Sequence, residues 1–446
     1  MLKLPLALVA CAALNWASAQ ALQHPLSCGQ DHFHYYLRQQ HPDLQAAFES
    51  TFEAARQYAN APSVSERSPL KINVVVHVVW KNTAENLPDS VIINQIQVLN
   101  EDFNRLNADT ANLRPPFQPV AGNPEIQFEL ADIVRTQTDR LFSLDILGGK
   151  LLSELKSSAQ GGSNARDPQR YLNIWVCKIQ PTTLFGIPVG QVFGFAFPPA
   201  DLSHWPAGSG APKPEEDGVV IDYRMFGRNN PNPMPNPAGG AAISVRGRTP
   251  VHEVGHYLGL RHIWGDGGLL GANDCNQSDG VDDTPFANAQ SNFDCAKTKN
   301  TCPKTEAFYG KDMPDLVENY MDYSSETCMN MFTRGQAALM RSVLEGPRKG
   351  LVASSGTHSP APLADLSLAP NPASDGVALR FQMPQPAEAA LRIFNLHGQV
   401  VAEQVLGLLP SGPQHILISI QHLPDGLYTA ELRTASARWA GRLCKS

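Results

Sequence analysis

The chain has 446 residues, more than one ordinary domain holds and enough for a sizeable core. Its 35 basic and 42 acidic residues give a net charge of −7 with no basic block, which argues against nucleic acid as a partner. The 34 glycines and 36 prolines predict a loop-rich molecule.

Residues 1–19 read as an export signal: Lys3 supplies positive charge, an apolar run extends from Leu4 to Leu14, and Ala17-Ser18-Ala19 is an A-x-A cleavage site before Gln20. Leu8-Val9-Ala10-Cys11 resembles a lipobox, but the apolar run before Cys11 is too short for that reading. No other apolar stretch reaches the ~20 residues that span a bilayer. The expected location is therefore secreted or cell surface, without a transmembrane span. Residues 20–68 are polar and rich in Gln, Ala and Ser, with helical stretches such as Pro42 to Tyr58, and predict a pro-segment that Arg67-Ser68 would allow to be removed. Cys28-Gly29 stands near its start. A thiolate there can fill the open position of a metal, or Cys28 can be an ordinary free or bridged cysteine.

The globular pattern begins at Lys71. Ile72 to Trp80 (INVVVHVVW) is a β-branched run fit for a buried strand. Val91 to Phe103 has apolar residues at helical spacing, and Ile126 to Leu130 alternates as a strand. Tyr171 to Ile179 predicts a strand that buries Cys177, Gln191 to Phe197 an edge strand bounded by Pro198-Pro199, and Gly218 to Tyr223 a further strand. The expected catalytic unit, residues 69–350, is α/β (α+β), with a mixed sheet above an active-site helix.

That helix carries the most informative residues. Residues 252–262 read His-Glu-Val-Gly-His-Tyr-Leu-Gly-Leu-Arg-His, which fills every fixed position of H-E-x-x-H-x-x-G-x-x-H. His252 and His256 project from one helix face and can grip one Zn²⁺. Gly259 can end the helix in a left-handed conformation and turn the chain back to bring in His262. Three nitrogens leave one tetrahedral position open for water, and Glu253 is placed to take its proton. Thr249 is the expected N-cap and Pro250 the first helical residue.

Export permits disulfides. Outside the signal the cysteines are 28, 177, 275, 295, 302, 328 and 444. The cluster from 275 to 328 reads as two bridges, since C-x-x-C spacing for a second zinc site is lacking. Residues 351–364 (LVASSGTHSPAPLA) read as a linker, and 365–446 as a small all-β sandwich. Its strands are expected at Val377 to Phe381, Ala390 to Phe394, Gln414 to Ile420 and Leu427 to Leu432. It holds no cluster of His, Asp and Glu, so no chemistry is expected there.

The extended motif resembles the metzincin metalloproteases, whose Met-containing turn lies beneath the zinc. Glu318-Asn319-Tyr320-Met321-Asp322-Tyr323 looks like that turn. Gly247-Arg248-Thr249, Trp264-Gly265-Asp266 and Asp282-Asp283-Thr284-Pro285 narrow the resemblance to the pappalysin family and its ulilysin-like members, over about 70–350 and most strongly over 247–334. The astacins, another metzincin group, fit less well because of the four-cysteine cluster and the Asp-Thr-Pro loop. The resemblance implies bridges Cys275–Cys302 and Cys295–Cys328, and Cys28 as a latency cysteine. It also implies structural Ca²⁺ on Asp279, Asp282, Asp283 and the Thr284 carbonyl, where the other reading is a solvated acidic loop.

The tail resembles the sorting domain of the type IX secretion system through Pro370-Asn371-Pro372, Asn395-Leu396-His397-Gly398 and Gly426-Leu427-Tyr428, although Ala369 departs from the pattern. That implies export through the periplasm, recognition by secretion machinery and removal of the tail. Loss of signal, pro-segment and tail would leave four bridged cysteines and Cys177.

The expected activity is a secreted zinc endopeptidase acting on proteins or peptides. Glu253 would be general base and Tyr323 an aid to the oxyanion. The 191–197 edge strand would pair with substrate, and Glu326 and Thr327 are candidates for the S1′ wall. The family suggests a preference for basic residues. The alternative is a catalytically inactive secreted binding protein that keeps the fold, against which Glu253 argues, because binding has no need of that carboxylate.

Overall fold

The computed structural model describes residues 69–144, 151–184, 187–199, 210–236, 241–265, 275, 278–352, 367–383, 387–395, 400–410, 412–434 and 438–446, with Cys28, Ala46, Ser50 and Glu53. The signal, Gly29, Arg67-Ser68, Asp266 and residues 353–366 lie outside them. The chain divides into two compact units, Met1–Ala353 and Ser354–Ser446.

The first unit is built on β1 (Leu70–Trp80), α1 (Asp89–Asp102), β2 (Ile126–Gln137), β3 (Leu172–Cys177), β4 (Gly194–Ala196), β5 (Val219–Asp222), α2 (Arg248–Tyr257) and α3 (Arg334–Glu345). The sheet order is β2-β1-β3-β5-β4. The first four strands are parallel and β4 is an antiparallel edge. Val74, Val75, Val76 and Val78 are all buried, as a parallel strand covered on both faces requires. Each such valine contributes roughly 1.5–3 kcal/mol. Helix α1 buries Val91, Ile92, Ile96, Val98 and Leu99 and leaves Ile93 in solvent.

Strand β2 is longer than the expected Ile126 to Leu130. Its register against β1 shifts between Val74 and Val75, so Ala131 is bulged out. The bulge breaks the sequence alternation at the point where the strand seemed to end. Helix α1 also closes the start of this outer edge. The Asn100 amide donates to the Phe128 carbonyl (2.9 Å) and accepts its N–H (2.8 Å), and Asn104 donates to the Ile126 carbonyl (2.7 Å).

At the other edge, Gly194, Phe195 and Ala196 pair with β5; Gln191 to Phe193 precede the strand and are not part of it. The Cys28 backbone forms a parallel bridge with Gly194, so a residue of the expected pro-segment lies on the free side of β4.

Leu351 and Val352, expected to begin a linker, belong instead to the first unit. Leu351 is buried in its core and Val352 pairs with Ile72. Two apolar residues beside a small-residue run have no periodicity of their own, which is why they read as linker.

The second unit has β6 (Ser367–Ala369), β7 (Gly376–Met383), β8 (Ala387–Phe394), β9 (Val400–Leu409), β10 (Gly412–Ser419), β11 (Gly426–Thr434) and β12 (Arg438–Lys445). They form two sheets, β6-β7-β10 and β9-β8-β11-β12. Val377, Leu379, Phe381, Leu391, Ile393, Leu432 and Leu443 build the core. Strands β9 and β12 were not expected, nor was the short β6. β9 carries Glu403 and Gln404 among its apolar residues, and β12 mixes arginines with apolar residues, so neither shows a clean period of two.

Candidate metal centre and active site

Helix α2 starts at Arg248, with Gly247 as N-cap at φ 78°. Thr249 is therefore the second helical residue and Pro250 the third, a correction to the expected cap. The cap function comes from another segment. Glu326 Oε1 accepts the Thr249 amide (2.8 Å) and hydroxyl (2.7 Å), and Oε2 accepts the Arg248 amide (3.1 Å). Pro250 is tolerated because a first-turn amide has no intrahelical partner to lose.

The helix ends as its sequence predicts. Gly259 is left-handed at φ 92°, and the Leu260 amide returns to the Gly255 carbonyl at 3.0 Å, closing a Schellman turn. The turn presents His262 to the first two histidines. His256 Nε2 lies 3.0 Å from His252 Nε2 and 3.1 Å from His262 Nε2. His252 Nδ1 meets the Tyr320 carbonyl at 2.6 Å and His256 Nδ1 the Leu260 carbonyl at 2.8 Å. Carbonyls only accept, so both Nδ1 atoms carry the proton and both Nε2 atoms turn lone pairs inward. Burial, then the neighbouring His262, pushes His252 down to about 3, so it stays neutral. Lone pairs at this separation repel unless a cation lies between them, and neutral imidazoles are the donors that zinc takes. The residues fit a zinc ion.

Cys28 Sγ joins this cluster: its sulfur and the three histidine nitrogens all lie within 4.8 Å of one another, and all four residues are buried. The thiol also donates to Glu253 Oε2 at 3.5 Å. Glu253 is buried beside β4. A Cβ on Gly194 would stand 2.7 Å from Glu253 Oε1, so only glycine leaves room for that carboxylate.

Met321 is fully buried under α2, and a Cβ on Gly255 would lie 2.5 Å from its sulfur. The Tyr323 ring is 4.8 Å from His262 and 5.6 Å from His252. Trp264 stacks on His262 at 4.4 Å with 5° between planes and holds that imidazole's orientation. In the sequence Trp264 stands out only as a family marker, not in this role. Its position two residues after the third histidine was the available signal.

A pocket beside His252 is bordered by Met225, Ile243, Thr249, Asp322, Glu326 and Met329. Thr327, the other expected wall residue, does not border it; it is exposed, with its hydroxyl 2.9 Å from that of Ser325. Burial raises the Asp322 carboxyl to about 6. Its Oδ1 accepts the Ser291 (3.1 Å) and Tyr323 (2.8 Å) amides and so fixes the turn that carries Tyr323.

The cysteines pair as Cys275–Cys302 and Cys295–Cys328. Cys177 is a buried free thiol that burial pushes up. The expected calcium donors do not converge in the same way as the histidines. Asp282 is exposed, while Asp279 and Asp283 are buried. Asp279 Oδ1 accepts the Thr284 hydroxyl at 2.6 Å, and Asp283 Oδ2 accepts the Gly335 amide at 2.9 Å at the start of α3.

This fold and site define a metzincin-type zinc metalloendopeptidase. The peptidase family described as pregnancy-associated plasma protein-A matches residues 243–345, and the secretion system C-terminal sorting domain matches residues 367–445. Mature mirolysin of Tannerella forsythia, solved in complex with a cleaved peptide, is 38% identical over 64% of this chain and 97% of its own, with a TM-score of 0.51. A promirolysin mutant from the same organism is 34% identical over 73% of this chain and 97% of its own, with a TM-score of 0.55. An extracellular metalloprotease of Arthroderma otae is 27% identical over 281 residues, 63% of this chain and 80% of that protein. The chain belongs to the pappalysin family of metallopeptidases, and it carries a secretion sorting domain at its C-terminus.

Proposed function

We propose that this protein is a secreted endopeptidase made as a latent zymogen, in which His252, His256 and His262 hold zinc, Glu253 is the general base and Cys28 blocks the site. The observation that carries the reading is the convergence of three inward-facing imidazole nitrogens with the Cys28 sulfur. Zinc there supplies a Lewis acid that polarises the scissile carbonyl and lowers the pKa of a water. Glu253 takes a proton from that water and delivers it to the leaving amine. The Tyr323 hydroxyl stabilises the developing oxyanion. The free side of β4 pairs with an extended peptide main chain, the place where Cys28 now pairs with Gly194. The thiol and an extended substrate compete for one position, which makes the blocked state latent. Asp322 at the pocket beside His252 supports a preference for basic residues. The N-terminal signal and the sorting tail support export through the periplasm, with recognition by secretion machinery.

Ca²⁺ belongs to the same proposal. Among the described residues, Asp279 Oδ2 and Asp283 Oδ1 are buried carboxylate oxygens without a hydrogen-bond partner, the hard donors that calcium takes.

Casein hydrolysis with and without chelator tests the reading. The full chain should be nearly inert, and Cys28→Ala should release chelator-sensitive cleavage. Adding Glu253→Gln should remove it by about 10²–10⁴-fold. Cleavage that survives Glu253→Gln refutes the mechanism.

A further inference from the structure

Glu326 borders the pocket beside His252, yet its carboxylate is directed at helix α2. Oε1 accepts the Thr249 amide (2.8 Å) and hydroxyl (2.7 Å). Oε2 accepts the Arg248 amide (3.1 Å) and the Arg246 amide. Its carbonyl accepts Arg248 Nη1 at 2.9 Å. The N-cap, Gly247, has no side chain to offer, so the first turn of α2 takes its acceptors from the loop that follows Met321. A carboxylate there also faces the positive end of the helix dipole.

We propose that Glu326 is a positioning residue of the metal centre: it clamps the first turn of α2, and with it His252 and Glu253, to the loop that carries Met321 and Tyr323. Ligand, base and tyrosine then hold one geometry. The proposal rests on the zinc peptidase reading and extends it. It also assigns Glu326 a role other than receptor for a cationic substrate side chain, because such a cation would compete with four donors already in place.

Two measurements on the full chain carrying Cys28→Ala test it, with and without Glu326→Gln. Glutamine keeps the shape but turns an NH₂ toward amides that need an acceptor. The first measurement is zinc release into excess chelator, read with a colorimetric indicator. The second is kcat and KM on two peptides that differ only in lysine or leucine after the scissile bond. Zinc release should be about tenfold faster and kcat about tenfold lower, as for other groups that orient metal ligands. The lysine-to-leucine ratio of kcat/KM should not change. Unchanged zinc release and kcat, even with a lower Tm, would overturn the proposal. So would selective loss of the lysine peptide at unchanged zinc release, which would make Glu326 a substrate receptor. If Glu326→Gln fails to fold, Thr249→Val deletes one donor alone. It should speed zinc release by about two- to threefold, and no change would overturn the proposal. Zinc release is read without proteolysis, so an inert parent chain would refute the peptidase reading and leave this test standing.

Discussion

Residue by residue, the site depends on positions that carry no chemistry. Gly194 is the clearest, since the Glu253 carboxylate occupies the space its Cβ would fill. Gly194→Ala should keep the fold and the zinc but displace the base, lowering kcat by about 10²-fold. Zinc content and kcat measured together check this, and loss of both in parallel would mean that the helix itself had moved. The ligands and the Gly259 turn were legible in the sequence because they interact within one helix and its end, where spacing decides contact. Glu326, the Asp322 turn and the stacking of Trp264 on His262 were not. Glu326 meets Thr249 only because the fold returns a distant loop to the start of α2, and no local pattern records that pairing. For Cys28 the sequence left a metal ligand and an ordinary cysteine both open, since nothing around it decides between them.

Among the elements, strands with a steady pattern were read correctly and those with interruptions were not. β1 is a continuous valine-rich run. β2 continues through a bulge, and β9 and β12 place charged residues among their apolar ones. The loop from Asp279 to Thr284 makes a pH prediction with a definite sign. Burial, above all, raises the Asp279 carboxyl from 3.8 to about 7. Between these values the folded protein keeps a proton that the unfolded chain has released. Its contribution is therefore complete below about pH 3.8 and is lost as pH rises through about 7. On the calcium proposal, Ca²⁺ binds the ionised form, and added Ca²⁺ should cancel this decline. Denaturant midpoints measured from pH 4 to 8, with and without Ca²⁺, check it. A midpoint that ignores both pH and Ca²⁺ in Asp279→Asn but not in the parent would locate the effect at this carboxyl. The same pH profile with and without Ca²⁺ in the parent would reject the calcium site.

At the scale of the molecule, the sequence showed the two-unit plan through a change of pattern near residue 365, but it placed the end of the first unit too early. Leu351 packs in the core of the first unit, so Leu351→Ala should destabilise that unit by about 2–5 kcal/mol. Chemical denaturation of the full chain, followed by a probe in the first unit, would show it. A change under about 0.5 kcal/mol would return Leu351 to the linker.

The bridge between Ile72 and Val352 joins the first strand of the catalytic unit to its last described residue. A chain made from its N-terminus therefore presents Ile72 of β1 long before its partner Val352 has been synthesised. Chains halted short of Val352 should remain sensitive to added protease, while chains reaching it can become resistant. The pairing of Ile72 is therefore completed only after every residue of the site has already been made.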